Sequence, residues 1–312
     1  MDTALAWTAG GTDGLDDFRL APRDVRTPAS GEVTIRITAA GVNPVDLKQL
    51  RRVTDPGLLP LPIGFEIAGV VSAVGPGAGI ASGPVEVGDR VAAFRVRGGY
   101  AEALTVPSRD VFALADSVDD DAGAGLLLAG CTAADLLERS GAQPGDTILM
   151  HAASGAVGIL VVQLATMRGI RVIGTCSPAR EAEVKRFGGV PIPYGSGVVA
   201  RVRALAPDGV VAALDAAGTD DAVAASLELV PDRSRIITVA AQAAAEHGFI
   251  ALSGAQPQSA AFRDSVRGEL LALLAAGQLQ VPIARTYPLS EAREALALVA
   301  SGKAGGKVVL HP

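Results

Sequence analysis

The chain has 312 residues, of which 49% are hydrophobic and only 4% aromatic, and its formal net charge is −6 at pH 7. Chains of this length usually form more than one hydrophobic core, so two domains are expected. The acidic balance and the lack of a basic cluster larger than Arg51-Arg52 argue against nucleic acid as a partner. No stretch approaches the roughly 18 uninterrupted apolar residues of a membrane span, so no membrane partner is expected.

The start of the chain and its cysteines bear on the compartment. Residues Met1 to Trp7 lack the basic segment and the following apolar segment of an export signal, so a cytoplasmic location is expected. Cys131 and Cys176 lie far apart and match neither a disulfide framework nor a four-cysteine zinc site. We interpret both as buried free thiols.

From Thr3 to about Leu114, short β-prone runs alternate with glycine and proline, which predicts a mostly β domain. After residue 119 the pattern changes to short apolar strands alternating with helices, which is typical of a parallel sheet covered on both faces. The β-rich part is predicted to have strands over 32–38, 67–74, 90–94 and 103–106. In the later part, strands are predicted over 146–151, 170–175, 190–193, 210–215 and 234–240, and helices over 121–140, 156–168, 179–187, 197–206, 219–229 and 259–276.

The C-terminal segment is predicted to form a strand over 281–288, a helix with Ser290 as its N-cap, and a strand over 306–310. We expect it to return to the first domain. The fold class is then α/β, with residues 1–118 and 282–312 forming a β domain into which a doubly wound parallel-sheet domain, 119–281, is inserted. The cleft between two such domains is the expected position of an active site.

A phosphate-binding turn is predicted between the first parallel strand and the helix that follows it. The spacing Ala153-x-Gly155-x-x-Gly158 is the dinucleotide fingerprint with alanine at its first glycine, inside a βαβ unit of about 30 residues. Backbone N–H groups at a helix N-terminus favour an anion. We therefore expect residues Ser154, Gly155, Ala156, Val157 and Gly158 to bind a dinucleotide pyrophosphate, the alternative being a glycine- and alanine-rich loop of any parallel α/β domain.

The second strand of this unit predicts the choice of cofactor. An NAD site normally carries an acidic residue about 20 residues after the glycines, but this strand continues as Gly174-Thr-Cys-Ser-Pro-Ala-Arg180. Ser177, Arg180 and Tyr194 offer hydrogen bonds to a 2′-phosphate, so NADPH is favoured over NADH. The alternative is that Arg180 is a solvated residue at a helix start.

The loops after the fourth and fifth parallel strands border a bound cofactor in doubly wound sheets. These loops are Asp215 to Gly218 and Val239 to Ala241, and we expect the backbones of Ala216 and Ala240 to contact the cofactor. Asp215 is equally well interpreted as a strand-end cap. His151 is interpreted as a packed neighbour of the turn rather than as a general acid.

Several motifs in one order now support a resemblance. They are Ala39 to Asp46, Gly64 to Val71, Val87 to Val91, Gly98 to Glu102, Leu128 to Ala133, the Gly155/Gly158 turn and Gly306 to Leu310. Together they resemble the medium-chain dehydrogenase/reductase superfamily, in its zinc-free quinone oxidoreductase (zeta-crystallin-like) branch. The resemblance implies a GroES-like β domain, a Rossmann domain and a homodimer joined through Rossmann edge strands.

The resemblance also implies which residues act. Zinc-dependent members carry a cysteine where Asn43 stands and a histidine where Phe65 precedes Glu66, so the metal site is expected to be absent. By resemblance, Asn43 orients nicotinamide or substrate, and Thr132 faces the nicotinamide. The alternatives are a turn residue before a proline for Asn43 and a helix-packing hydroxyl for Thr132.

The substrate is less well defined than the cofactor. In the branch pattern that contains Asp46, Arg51 is displaced by one position and the following glycine is absent, so the pocket departs from the family. We expect NADPH-dependent hydride transfer to a small molecule, a quinone or an α,β-unsaturated carbonyl compound, with no proton donor identified. The alternatives are an enoyl or acrylyl-type reductase of a specialised pathway and a non-catalytic NADPH-binding sensor.

Overall fold

The structure is a computed structural model that describes residues 2–50, 53, 55–240 and 246–312. The chain divides into two compact units, one of Met1–Leu128 with Leu271–Pro312 and one of Ala129–Leu270. The sequence-derived domain limits, 119–281 within 1–118 and 282–312, stay a prediction. No helix in the described part of the chain combines the length and the apolar character needed to cross a membrane.

Strands and helices are named in chain order. The strands are β1 (Asp2–Ala9), β2 (Phe18–Val25), β3 (Glu32–Val42), β4 (Leu61–Pro62), β5 (Glu66–Val74), β6 (Arg90–Phe94), β7 (Ala103–Pro107), β8 (Val111–Ala113), β9 (Thr147–His151), β10 (Arg171–Cys176), β11 (Val190–Pro193), β12 (Ala212–Asp215), β13 (Ile236–Thr238), β14 (Ile250–Ala251), β15 (Ile283–Pro288) and β16 (Lys307–His311). The helices are α1 (Pro44–Lys48), α2 (Asp120–Ser140), α3 (Ala156–Met167), α4 (Glu181–Arg186), α5 (Val198–Leu205), α6 (Asp220–Leu229), α7 (Pro257–Ser265), α8 (Arg267–Ala275) and α9 (Ala292–Ala300).

The first unit is built from β-sheet. A three-stranded sheet has the order β2-β1-β4, and a seven-stranded sheet has the order β15-β16-β3-β5-β6-β8, with β7 also paired to β3. Alternate residues of β3, Val33, Ile35 and Ile37, are buried in the core of this unit, as expected for a strand with one face inward. The C-terminal strand β16 pairs antiparallel with β3, so the last residues of the chain complete this sheet.

The second unit contains a six-stranded parallel sheet with the order β11-β10-β9-β12-β13-β14. The first strand in sequence, β9, lies in the middle, and the chain reverses its direction of winding between β9 and β12. This reversal is the switch point at which doubly wound sheets bind ligands, outside the carboxyl ends of the strands. The expected α/β class, with a β-rich unit and a doubly wound unit, is confirmed.

The local predictions needed three corrections. The single helix predicted over 259–276 is two helices, α7 and α8, separated at Val266; Gly268, a poor helix former, lies just after this break. The strand predicted over 234–240 is shorter, because a 3₁₀ turn precedes β13. Ser290 is not an N-cap: it lies inside a 3₁₀ turn, Leu289–Glu291, whose buried first carbonyl accepts the indole N–H of Trp7 over 2.7 Å.

Candidate functional site

The turn after β9 forms the centre of the candidate site in the second unit. Ala152 has a positive φ of 60°, and its N–H donates to the Thr175 hydroxyl over 3.1 Å. The N–H of Ala153 donates to the Thr175 carbonyl over 2.9 Å. Helix α3 then begins with Gly155 as N-cap, and no side chain caps it. The first N–H groups of α3 are therefore not satisfied by a capping side chain, which is the arrangement that favours an anion.

The two glycine positions of the turn differ in how much space they leave for a side chain. A Cβ added to Gly158 would lie 2.2 Å from the Ala152 carbonyl oxygen, so only glycine lets α3 approach the end of β9 this closely. A Cβ on Gly155 would lie 3.3 Å from the same oxygen, which is tight but within reach of a small adjustment. The sequence departs from the fingerprint at Ala153, and Gly174 in β10 compensates, because a Cβ there would lie 2.5 Å from the Ala153 methyl carbon.

The loops after β12 and β13 are held against each other. Asp215 accepts hydrogen bonds from the N–H groups of Ala217 and Gly218, at 2.9 and 3.0 Å, and from the Thr238 hydroxyl at 2.8 Å. Gly218 has a φ of +67°, and a Cβ on it would lie 2.8 Å from the carbonyl carbon of Ala240. Asp215 is thus the strand-end cap that joins the two loops. Ala241 lies outside the described residues.

His151, the last residue of β9, is enclosed by polar groups. Its Nε2 lies 3.1 Å from the Ser226 hydroxyl, which itself donates to the Ala222 carbonyl over 2.8 Å. The Ser226 oxygen therefore accepts from Nε2–H, and this selects the tautomer with the proton on Nε2. Burial lowers the pKa of His151 to about 4, although the nearby Asp215 opposes the shift. His151 is a neutral packing residue near neutral pH, as the sequence interpretation had it.

The end of β10 leads to the residues predicted to select NADPH. Ser177 lies directly after the strand, and Arg180 forms an ion pair with Glu183 one helical turn later. Tyr194, which follows β11, is 66% exposed. Burial raises the pKa of the Cys176 thiol to about 11, so this cysteine is protonated and unreactive near neutral pH.

A second cluster lies in the first unit, around Asn43. Asn43 is the residue before α1, and its backbone N–H donates to Asp46 over 2.7 Å. Its side-chain oxygen accepts from the Lys307 ammonium over 2.8 Å, and its Nδ2 donates to Glu66 over 2.9 Å. Lys307 also forms an ion pair with Glu66, and both side chains are 1% exposed. The cluster is a hydrogen-bonded network removed from solvent.

Two further groups extend this network. Glu66 accepts the backbone N–H of Leu128 over 2.8 Å, which joins β5 to α2. The Tyr100 hydroxyl donates to Asp46 over 2.7 Å, and the other carboxylate oxygen of Asp46 is buried with no hydrogen-bond partner among the described residues. Burial raises the pKa of Asp46 to about 7, against the hydrogen bonds from Tyr100 and Asn43 and the charge of Lys307. Asp46 is therefore close to half-protonated near neutral pH.

Comparison with known proteins places this geometry in a family. The family model described as "Alcohol dehydrogenase GroES-like domain" matches residues 29–116, and the one described as "Zinc-binding dehydrogenase" matches residues 191–310. The solved structure of mycobacterial Rv1454c complexed with NADPH is 30% identical, with a TM-score of 0.85 over 99% of this chain and 100% of that chain. The chain belongs to the medium-chain dehydrogenase/reductase superfamily, in its quinone oxidoreductase branch.

Two similar proteins differ in how much of their length the chain covers. The quinone oxidoreductase of Salmonella typhimurium is 28% identical over 97% of both chains. The human synaptic vesicle membrane protein VAT-1 homolog is 34% identical over 236 residues, which are 73% of this chain and 58% of that protein. The chain thus spans little more than half the length of this relative. The expected GroES-like and Rossmann architecture is confirmed, since the GroES-like family model and the full-length structural match both support it.

Within this superfamily fold, the predicted site residues fall into two sets. One set lies at the carboxyl edge of the sheet in the second unit: Ser154, Gly155, Ala156, Val157, Gly158, Ser177, Arg180, Tyr194, Ala216 and Ala240. Asn43 lies in the first unit, and Thr132, 6% exposed, lies in the part of α2 that belongs to the second. Arg51, which marks the departure from the branch pattern, lies outside the described residues.

Sequence reasoning did not find the network around Asn43. Asp46, Glu66, Tyr100 and Lys307 all lie within the motifs of the resemblance, but these motifs predict no contact between them. One signal was available: Lys307 is one of only four lysines in the chain and begins a strand whose next three residues are apolar. A charged residue in such a strand is seldom buried without a partner. Among the described residues, no group of three or more histidine, cysteine or acidic side chains lies close enough to hold a metal ion.

Proposed function

We propose that this protein is an NADPH-dependent oxidoreductase that transfers hydride to a quinone or an α,β-unsaturated carbonyl compound. The observation that carries the proposal is the N-terminus of α3, which follows Gly155, contains Gly158 and has no side-chain cap, at the switch point of the parallel sheet. This arrangement fits a pyrophosphate. Relatives named as quinone oxidoreductases support the reaction class.

The second unit supplies the groups that would hold the cofactor. The backbone N–H groups from Ser154 to Gly158 would bind the pyrophosphate, and the joined loops with Ala216 and Ala240 would border the nicotinamide half. Ser177, Arg180 and Tyr194 would donate hydrogen bonds to the 2′-phosphate, and no acidic residue follows β10 directly to repel it. NADPH, when bound, supplies the hydride.

Zinc does not fit the described residues around Glu66 in the first unit. Structural and catalytic zinc sites use thiolates, imidazoles and carboxylates. The side chain of Glu66 instead contacts the Asn43 amide, and the residue before Glu66 in sequence is Phe65. Glu66 is already paired with the Lys307 ammonium, which also contacts Asn43. A divalent cation there would face a buried positive charge, so we propose a reaction in which no step runs through a metal ion.

Reduction of an activated acceptor suits such a site. Alcohol oxidation without a Lewis acid leaves a developing alkoxide unstabilised, whereas hydride addition to a quinone or an activated C=C bond needs only hydrogen-bond donors. We propose that Asn43 orients nicotinamide or substrate and that Thr132 faces the nicotinamide. We also propose a homodimer that pairs through β14, the edge strand of the parallel sheet; the molar mass in solution tests it.

The proposed function is tested by measuring NADPH oxidation as a loss of NADPH absorbance. The acceptors are quinones, enones and aldehydes, each with and without a chelator. We expect turnover with quinones or enones, none with simple aldehydes, and no effect of the chelator. A saturated carbonyl product would identify an enone reductase, as in the enoyl or acrylyl-type alternative. Tight NADPH binding without turnover on any acceptor would favour a sensor, and loss of turnover on chelation would overturn the metal-free reaction.

A further inference from the structure

We infer that Lys307 and Glu66 are positioning residues that fix the orientation of the Asn43 amide, so that Asn43 binds its ligand only as a hydrogen-bond acceptor. The inference deepens the proposed function and rests on it for the identity of the ligand. It stands on the contacts of three side chains that lie in the first unit and are almost completely buried.

The orientation of the amide follows from the chemistry of its two neighbours. An ammonium group can only donate hydrogen bonds, and a carboxylate can only accept them. Lys307 must therefore face Oδ1 of Asn43, as it does at 2.8 Å, and Glu66 must face Nδ2, as it does at 2.9 Å. A flipped amide would place its NH₂ against the ammonium and its oxygen against the carboxylate, so one orientation is strongly favoured.

The hydrogen-bonding capacity that remains on Asn43 is small. A side-chain amide has two donor hydrogens and two acceptor lone pairs. Both hydrogens of Nδ2 are used, one by Glu66 at 2.9 Å and one by the Gly41 carbonyl at 3.2 Å. One lone pair of Oδ1 is used by Lys307. The backbone N–H of Asp46 faces this side chain in a capping box, but it donates to the Asn43 carbonyl over 3.0 Å and makes no side-chain cap hydrogen bond. One lone pair of Oδ1 is therefore left for a ligand.

This remaining lone pair defines the ligand chemistry. It accepts from a hydroxyl or an NH₂ group, and it cannot polarise the carbonyl oxygen of a quinone or an enone, which is itself an acceptor. In the proposed reaction Asn43 therefore binds the cofactor, through the carboxamide NH₂ or a ribose hydroxyl, and does not activate the acceptor. The donor that polarises the acceptor must be another group.

The network is held rigidly by its surroundings. Glu66 is tied to the Leu128 N–H at 2.8 Å, and Lys307 begins β16, whose neighbours in β3 continue to Val42, directly before Asn43. Removing only one member of a buried ion pair leaves an uncompensated charge and is strongly destabilising. The informative variant is therefore the neutral pair Lys307→Met with Glu66→Gln, because the introduced amide can both donate and accept and so removes the bias on Asn43.

The chain permits a direct measurement of this orientation. Asn43 is the only asparagine in the sequence, so protein labelled with ¹⁵N-asparagine has a single side-chain NH₂ signal. We expect two well-separated protons that exchange with solvent at least tenfold more slowly than those of a free amide. In the neutral-pair variant the signal should shift and its exchange should accelerate at least tenfold. Lys307→Arg, which keeps the charge, should retain the slow exchange, and Lys303→Met, a change at an exposed lysine, should match the wild type.

A double-mutant cycle then tests whether the network acts through Asn43. We expect the neutral pair to lower kcat at least tenfold in the wild-type background but less than threefold in Asn43→Ala, with KM for the acceptor unchanged. Equal losses in both backgrounds, or an Asn43 amide that exchanges freely in the wild type, would overturn the inference. Absence of turnover with every acceptor would refute the proposed function alone, because the NMR measurement needs no turnover. If the neutral pair does not fold, loss of slow exchange in folded Lys307→Arg would overturn the inference, and its retention would support it.

Discussion

Tyr100 donates a hydrogen bond to Asp46 over 2.7 Å, and both side chains are fully buried. A carboxyl group in such a place is costly to ionise, which is why its pKa is about 7 rather than near 4. Tyr100 and the backbone N–H of Asn43 both donate to the same carboxylate oxygen and so favour the ionised form. The balance between burial and these hydrogen bonds makes Asp46 sensitive to pH.

The first prediction concerns the pH dependence of stability. Because the pKa of Asp46 is about 7 in the folded protein and lower in the unfolded chain, the folded state binds the extra proton between these values. The contribution of Asp46 to the free energy of unfolding should therefore be complete below pH ~4 and lost as pH rises to about 7. The loss should be on the order of a few kcal/mol, which corresponds to the difference between the two pKa values. Denaturant unfolding, monitored by the fluorescence of Trp7, measures this loss. Trp7 is the only tryptophan and lies in the same unit as Asp46.

Two variants serve as controls for this prediction. Asp46→Asn cannot titrate, so its difference from the wild type should shrink as pH rises from ~4 to ~7. Tyr100→Phe should cost about 1–3 kcal/mol, and more above pH ~7 than below, because the hydroxyl stabilises the ionised carboxylate. A wild-type stability that does not fall relative to Asp46→Asn over this range would contradict the assignment.

The second prediction concerns acid and the second unit. The pKa of His151 is lowered from 6.5 to about 4, so the unfolded chain takes up a proton first as pH falls through 6.5. The contribution of this residue to stability should be complete above pH ~6.5 and lost between ~6.5 and about 4. The imidazole proton resonances of His151, assigned by their absence in His151→Gln, should not move above pH ~5. A midpoint at or above ~6.5 would refute the buried, neutral imidazole.

The third prediction compares the two glycines of the turn. Gly158→Ala introduces a methyl carbon 2.2 Å from the Ala152 carbonyl oxygen and should lower the free energy of unfolding by about 1–3 kcal/mol. Gly155→Ala, with an ordinary φ of −74° and a nearest contact of 3.3 Å, should cost less than about 1 kcal/mol. Thermal unfolding of the apoprotein measures both. NADPH affinity should fall at least tenfold in Gly158→Ala; equal stability of the two variants would show that the close approach is not required.

The fourth prediction concerns cofactor choice. Arg180 is paired with Glu183, and this carboxylate competes with a 2′-phosphate for the guanidinium. Glu183→Gln should therefore tighten NADPH binding several-fold and leave NADH unchanged, because neutralising Glu183 removes that competition. Arg180→Gln should weaken NADPH binding roughly tenfold, again with little effect on NADH. Dissociation constants for both cofactors measure this, and parallel changes for the two would show that Arg180 does not contact the phosphate.

Local sequence was sufficient to predict the glycine turn between β9 and α3. The strand, the glycines and the helix start are contiguous from residue 147 to 167, so their chemistry and spacing are visible without a fold. The same holds for the alternation of strands and helices that predicted the doubly wound sheet. Strand β14 was missed because two residues carry no periodicity, and α7 and α8 were merged because both have helical patterns with one residue between them.

The sequence by itself predicted a phosphate-binding turn, the lack of an acid among Ser177 to Arg180 directly after β10, and, by resemblance, Asn43 and Phe65 in place of the side chains of a zinc site. Only the tertiary structure decided what surrounds Asn43, because Glu66 lies 23 residues away and Lys307 lies 264 residues away along the chain. Pairing of β16 with β3 brings the last strand beside the first residues of the network. The effect of a buried charge depends on the group that it pairs with. Strand pairing and burial, rather than neighbours in sequence, determine which group that is.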